Sequence, residues 1–226
     1  MIDLSTWNLT IPVGVPATTI ETPQLVGGYQ DQYFQAKNGA IFFWAPVNGT
    51  TTARSEFPRT ELRETYADGQ QRNWTYGKAN NFLTATLSVS QVPSAGVIAL
   101  GQIHTKKSGR PPLMLRYQYH PSTGYGDVTL TFRKKPSQSS TQSIVLLKDV
   151  RLKQSFSYRL NLKSSGALEV YARAPDGSLR KWQGQLDSAW ASHPLFFKAG
   201  VYALDNSGNE TQAGAASFTE LLVEHR

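Results

Sequence analysis

Alternation constrains this chain more than any other feature. In "FLTATLSVS" (82–90), Leu83, Ala85, Leu87 and Val89 take every second position, with Thr84, Thr86, Ser88 and Ser90 between and after them. Successive side chains of a strand point to opposite faces, so this spelling fits a strand with one buried and one wet face. The same period runs through "DVTLTFR" (127–133), "SYRLNLK" (157–163), "ALEVYARA" (167–174) and "TELLVEHR" (219–226). "AIFFWAPV" (40–47), "VIALGQIH" (97–104), "SIVLLKDV" (143–150) and "LFFKAGVYA" (195–203) are apolar nearly throughout, as strands covered on both faces are. Turn-forming runs such as "KKSGRPP", "HPSTGYGD" and "DNSGN" separate them. Helix is expected only as a turn or two within 22–34 and 186–192. About eleven strands with so little helix predict an all-β fold, an antiparallel β-sandwich or jelly roll whose concave face can hold a long polymer.

The 226 residues carry no linker and no internal repeat, so a single domain spanning 1–226 is expected. Lys and Arg number 23 against 16 Asp and Glu, a balance of 23 − 16 = +7. A surplus of that size favours a polyanionic partner. The cations are spread along the chain and form no dense basic run, so neither nucleic acid nor a membrane surface is expected to be that partner. With no cysteine, disulfides and thiolate metal sites are excluded. No segment is apolar for long enough to span a membrane as a helix. The opening "MIDLSTWNLTIPVG" lacks a cationic start followed by an apolar stretch. The expectation is a soluble monomer, cytoplasmic or exported by way of a leader outside this sequence.

Polar chemistry gathers on the outward faces of a few strands. In "RTELR" (59–63), Arg59, Glu61 and Arg63 share one face while Leu62 points to the core. Glu61, set between two guanidinium groups, is favoured in its ionised form, so it reads as a buttress that aims Arg59 and Arg63 rather than as an acid catalyst. An ordinary ion-paired surface explains this segment alone equally well. In "GQIHTKK" (101–107), Gln102 and His104 share a face, followed by Lys106 and Lys107, which puts donors, a titratable imidazole and positive charge in one patch. In "LFFKAGVY" (195–202), Lys198, Gly200 and Tyr202 form one side, with Gly200 leaving room between the other two. A cation near a phenol eases its ionisation, although an amphipathic strand with a snorkelling lysine is the simpler reading of this segment by itself. "LMLRYQYH" (113–120) would add Arg116 and Gln118 if it lies in the same sheet.

The inventory holds arginines, an amide, an imidazole, a lysine and a phenol, with no unencumbered carboxylate pair such as a glycoside hydrolase uses. It suits a reaction in which a carboxylate is neutralised and a carbon acid deprotonated, as in β-elimination from a uronic acid polymer. Three motifs then resemble those of polysaccharide lyase family 7, the alginate lyases: "RTELR" (59–63), "QIH" (102–104) and "FFKAGVY" (196–202). The blocks "WNLTIPVG" (7–14), "IETPQLVGGYQDQYF" (20–34) and "FWAPVNGTTTARSEFPRTELRE" (43–64) resemble the family's in the same order. The resemblance implies a β-jelly-roll with a deep cleft that cleaves alginate endolytically by β-elimination, with no metal or other cofactor. It implies that Arg59 and Gln102 hold and neutralise the uronate carboxylate. It also implies that His104 is base or neutraliser and that Tyr202 protonates the leaving oxygen. Arg63 and Lys198 would bind polymer, and Glu61 would support Arg59. Phe196 stands where the family usually has Tyr, and Leu204 where it usually has Gln, which touches subsite binding. Ile103 at the centre of "QIH" goes, in this family, with guluronate-containing or mixed blocks. The alternatives are a non-catalytic jelly-roll module that binds acidic polysaccharide, a hydrolase on a similar sandwich, and a nucleic-acid binder. Such a module has no need of both His104 and Tyr202.

Overall fold

The computed structural model describes residues 2–226. Among these, fifteen strands form: β1 (Trp7–Ile11), β2 (Thr18–Ile20), β3 (Phe34–Lys37), β4 (Ala40–Pro46), β5 (Arg59–Glu64), β6 (Asn81–Gln91), β7 (Val97–Thr105), β8 (Leu113–His120), β9 (Tyr125–Phe132), β10 (Gln142–Val150), β11 (Ser155–Leu162), β12 (Ala167–Arg173), β13 (Leu179–Gln185), β14 (Leu195–Tyr202) and β15 (Ala213–His225). They make an eight-stranded sheet in the order β10-β9-β8-β7-β14-β5-β1-β2 and a seven-stranded sheet in the order β13-β12-β11-β6-β15-β4-β3. The pairings are antiparallel, as the alternating patterns predict.

The two sheets pack face to face over the apolar halves of those patterns. Leu83, Ala85, Leu87 and Val89 of β6 meet Leu62 of β5, Ile103 of β7 and Phe197 and Val201 of β14 in one core. Tyr158 crosses between the sheets and donates its hydroxyl to Leu100 O at 3.1 Å. A Cβ on Gly101 would lie 2.3 Å from that hydroxyl, so the glycine makes room for the tyrosine. All eleven segments read as strands are strands. The four additional ones are short or marginal: β1, β2 and β3 have five, three and four residues, and β13 is a largely exposed edge strand whose side chains give no buried period. The helical expectation holds at α1 (Thr22–Val26) and at the 3-10 turn Ser188–Trp190, and a second 3-10 turn, Tyr76–Lys78, lies outside the stretches expected to be helical.

Candidate active site

Three segments far apart in sequence become neighbours because β14 lies between β5 and β7. Across one edge of β14, Lys198 faces Arg63, Gly200 faces Glu61 and Tyr202 faces Arg59. Across the other, Lys198 faces Gln102 and Phe196 faces His104. Leu62, Ile103, Phe197 and Val201 point into the core, so the chemistry-bearing set points the other way, as the alternation predicts. That outer face is not a wet surface. Every residue of β5 is buried, including Arg59, Glu61 and Arg63.

Gly200 has a reason other than room in the cleft. Its φ is +136°, and a Cβ would come within 2.8 Å of Thr60 O and 2.9 Å of the Glu61 Cα. Here β14 carries a bulge against β7 and presses onto β5. Only glycine accommodates both the dihedral and the close approach.

Glu61 is the hub of the floor, but it does not aim both arginines. Its Oε2 accepts from Arg59 Nη1 at 2.7 Å and from Lys198 Nζ at 2.6 Å, and its Oε1 accepts from Gln102 Nε2 at 2.5 Å. Arg63 turns away, donating to Asn73 Oδ1 at 2.6 Å, to Arg72 O at 2.8 Å and to Glu64 O. The second cation on Glu61 is therefore Lys198. Burial pushes the Glu61 carboxyl up, yet Lys198 and Arg59 outweigh burial and hold it below the usual carboxylate range. One carboxylate is shared between two cations, so the balance is left positive. The consequence falls on Lys198, whose ammonium is pushed down by burial and by Arg59 despite its bond to Glu61.

His104 is neutral for the same reasons. Burial, Lys198 and Arg59 bring it to about 3, opposed only in part by Thr105 and Glu61. Its Nδ1 lies 2.8 Å from Thr105 N and 2.9 Å from Thr105 O. In either tautomer the backbone engages Nδ1 and leaves Nε2 for a ligand. The imidazole stacks on Phe196 at 5.2 Å and 26°, and the Arg63 guanidinium covers that ring at 4.0 Å. Tyr202 lies under Arg59, whose guanidinium sits 4.0 Å from the ring centroid. The expectation that a cation would ease its ionisation is outweighed by burial, and the phenol is pushed up overall. Tyr202 therefore keeps its proton at neutral pH.

Arg59, Arg63, Gln102, His104, Phe196, Lys198 and Tyr202 line a cleft of about 530 Å³ together with Lys106, Met114 and the loop residues Thr52, Arg54, Ser55 and Glu56. Lys106 is exposed on the loop after β7. Arg116 and Gln118 do lie in the same sheet, on β8, but beyond this cleft's lining, and Gln118 is exposed. Phe196 lines the cleft and Leu204 does not. Sequence reasoning missed Glu64, which accepts from Trp74 Nε1 at 2.8 Å and Phe197 N at 3.0 Å and meets His225 Nε2 at 2.5 Å. It shares the core side of β5 with Leu62, and that position was its only signal: an acid where the pattern calls for an apolar residue.

The alginate lyase family model matches residues 2–225. A crystal structure of an alginate lyase from Pseudomonas aeruginosa is similar at 44% identity and a TM-score of 0.92, covering 99% of this chain and 100% of that one. Alginate lyase A1-II′, a member of polysaccharide lyase family 7, is similar at 26% identity and a TM-score of 0.86, over 99% and 96% of the two chains. Variants of that enzyme have been solved in complex with product GGG and with substrate GGMG. An alginate lyase from Klebsiella pneumoniae is 25% identical over 276 residues, 99% of this chain and 89% of its own. With the match spanning almost every residue of a sandwich of the same shape, this chain belongs to the alginate lyases of polysaccharide lyase family 7.

Proposed function

We propose that this alginate lyase works as a single catalytic domain, cutting its polymer endolytically by β-elimination with Arg59, Gln102, His104 and Tyr202 around the reacting uronate. The observation that carries this reading is the shared carboxylate. Glu61 compensates one of the two cations it binds, and the surplus positive charge on the floor awaits an anion. Arg59 and the second N–H of Gln102, both aimed by Glu61, take the C6 carboxylate and neutralise it, which acidifies the C5 proton. A base removes that proton, the C4–C5 double bond forms, the C4–O4 bond breaks, and O4 takes a proton.

His104 Nε2 serves as the base when Nδ1–H donates to Thr105 O. In the other tautomer Nε2–H donates to the carboxylate. Tyr202, which retains its proton, delivers it to O4. The two C5 epimers present the C5 proton from opposite faces, so Tyr202 serves as base as well as acid for one of them. Arg63, Lys198 and Lys106 bind neighbouring parts of the chain. The open cleft suits internal cleavage, and the G-containing ligands of the A1-II′ variants support guluronate-containing or mixed blocks as substrate.

The test is the ultraviolet absorbance of the new double bond, conjugated to the carboxylate, during incubation with alginate. It rises in the wild type, and Tyr202→Phe lowers turnover by about 10²-fold or more while polymer still binds. Near wild-type turnover in that variant overturns the role of Tyr202. A flat trace with tight binding leaves a polysaccharide-binding module instead. Initial rates on separate block types test the preference, and fastest turnover on pure mannuronate reverses it.

A further inference from the structure

One row of the eight-stranded sheet continues past the cleft. Tyr202 of β14 faces Ala99 of β7, Ala99 faces Arg116 of β8, and Arg116 faces Thr129 of β9. Leu115 and Tyr117 point into the core, so Arg116 takes the same face as Met114, which lines the cleft. Between Tyr202 and Arg116 the row contributes only the methyl of Ala99. The separation is two strand spacings, roughly 10 Å.

Two polar groups here are buried and unused. The Nε of Arg116 and the Oγ1 of Thr129 are both buried without a hydrogen-bond partner among the described residues. Thr129 is only 3% exposed. Burial alone lowers the Arg116 guanidinium, with no carboxylate raising it. The acid one row further on, Asp127, faces Gln118 and is engaged by His120 Nε2 at 3.1 Å. A guanidinium N–H and a hydroxyl left unbonded on directly opposed residues are costly unless a ligand meets them.

We propose that Arg116 and Thr129 form a distal uronate subsite. Arg116 takes the carboxylate of a sugar further along the chain being cleaved at Tyr202, and the Thr129 hydroxyl bonds to the same sugar. The inference rests on the polyuronate reading above and extends it: the binding surface runs along the row that contains the proton donor, across the strands. The guanidinium is suited to the task, since it is always charged and presents a planar fork to a carboxylate.

The test uses a ladder of alginate oligomers of increasing length with the wild type, Arg116→Met and Thr129→Val. In the wild type, kcat/KM steps up once a substrate reaches from the scissile linkage to Arg116. Arg116→Met shrinks that step about tenfold or more, chiefly through KM, and the near-isosteric Thr129→Val shrinks it by a smaller factor. A step that persists in both variants overturns the subsite, as does a loss equal at every length. If the wild type gives no ultraviolet signal on any oligomer, the lyase chemistry fails by itself. Calorimetric affinities on the same ladder then decide the subsite, by whether a length step is lost in Arg116→Met.

Discussion

Two glutamates in this molecule hold nearly the same company. Glu61, on the eight-stranded sheet, binds Lys198 at 2.6 Å, Arg59 at 2.7 Å and the Gln102 amide at 2.5 Å. Glu169, on the outer face of the seven-stranded sheet, binds Lys181 at 3.0 Å, Lys163 at 3.1 Å and the Gln183 amide at 3.1 Å. Each is one acid with two cations and a glutamine amide, and Glu169 adds longer contacts from the Tyr171 hydroxyl at 3.4 Å and Asn161 Nδ2 at 3.5 Å. The difference is water. The side chains of Arg59 and Lys198 are 7% and 10% exposed, whereas those of Lys163 and Lys181 are 40% and 38% exposed. Hydrogen bonds from Lys181 and Lys163 bring Glu169 to about 2, but solvent screens exposed pairs and little stability follows from that shift. At Glu61 the same charges have been taken out of water, so the surplus cation is felt across the cleft. Composition does not distinguish the floor of a cleft from a surface ornament; burial does.

Removing the acid is the sharpest way to break the comparison. Glu61→Ala leaves Arg59 and Lys198 buried without their carboxylate and is expected to cost about 3–5 kcal/mol of stability, with activity lost. Denaturant unfolding checks this, and a variant as stable as the wild type would remove Glu61 from its place as hub.

A pH titration probes the surplus charge more gently. Lys198 is pushed down to about 8 from its ordinary 10.5. Above about pH 8 the folded protein sheds a proton that the unfolded chain keeps up to about 10.5. Across that window the unfolded state binds more protons, so this group's contribution to stability rises with pH. Activity moves the other way, because the floor loses positive charge. The expected signature is a falling alkaline limb of kcat/KM without a falling melting temperature, and its displacement upward in Lys198→Arg. On the acid side His104, at about 3, stays neutral through the mildly acidic range and sets no limb there. Activity and stability declining together above pH 8 would assign the limb to unfolding.

The smallest effect belongs to the other face. Glu169→Gln is expected to leave alginate cleavage intact and the unfolding midpoint nearly unmoved. Molar salt should erase whatever difference remains, since the screening length is then only about 3 Å. A Glu169→Gln variant as damaged as Glu61→Ala would mean that burial is not the deciding variable.

How far the sequence could be read follows the same line. The period of two located β5, β7, β8 and β14 and the face each presents, because one buried side per strand forces that spelling. It could not supply strand order, so nothing local said that Lys198 rather than Arg63 would join Arg59 on Glu61; that is decided by β14 lying between β5 and β7. Gly200 was read as space for side chains when its role is backbone, a positive φ against Thr60 and Glu61 that no pattern of side chains encodes. Glu64 and His225 were missed because an acid at a core position is a signal that only its partner at the far end of the chain explains. β2, β3 and β13 escaped because edge strands bury too little to leave a period.

The place of β14 also has a bearing on how the molecule is made. β5 and β7 leave the ribosome before the strand that joins them, carrying Arg59, Glu61, Gln102 and His104, because β14 (Leu195–Tyr202) is made only after six further strands, β8 to β13, have followed β7. Until it emerges, the two halves of the eight-stranded sheet have open inner edges, and Glu61 lacks Lys198. Growing chains therefore hold edges that invite pairing with other nascent chains. Closure of the sheet and the meeting of Glu61 with Lys198 become one event, delayed by the loop closure that long-range strand pairing demands.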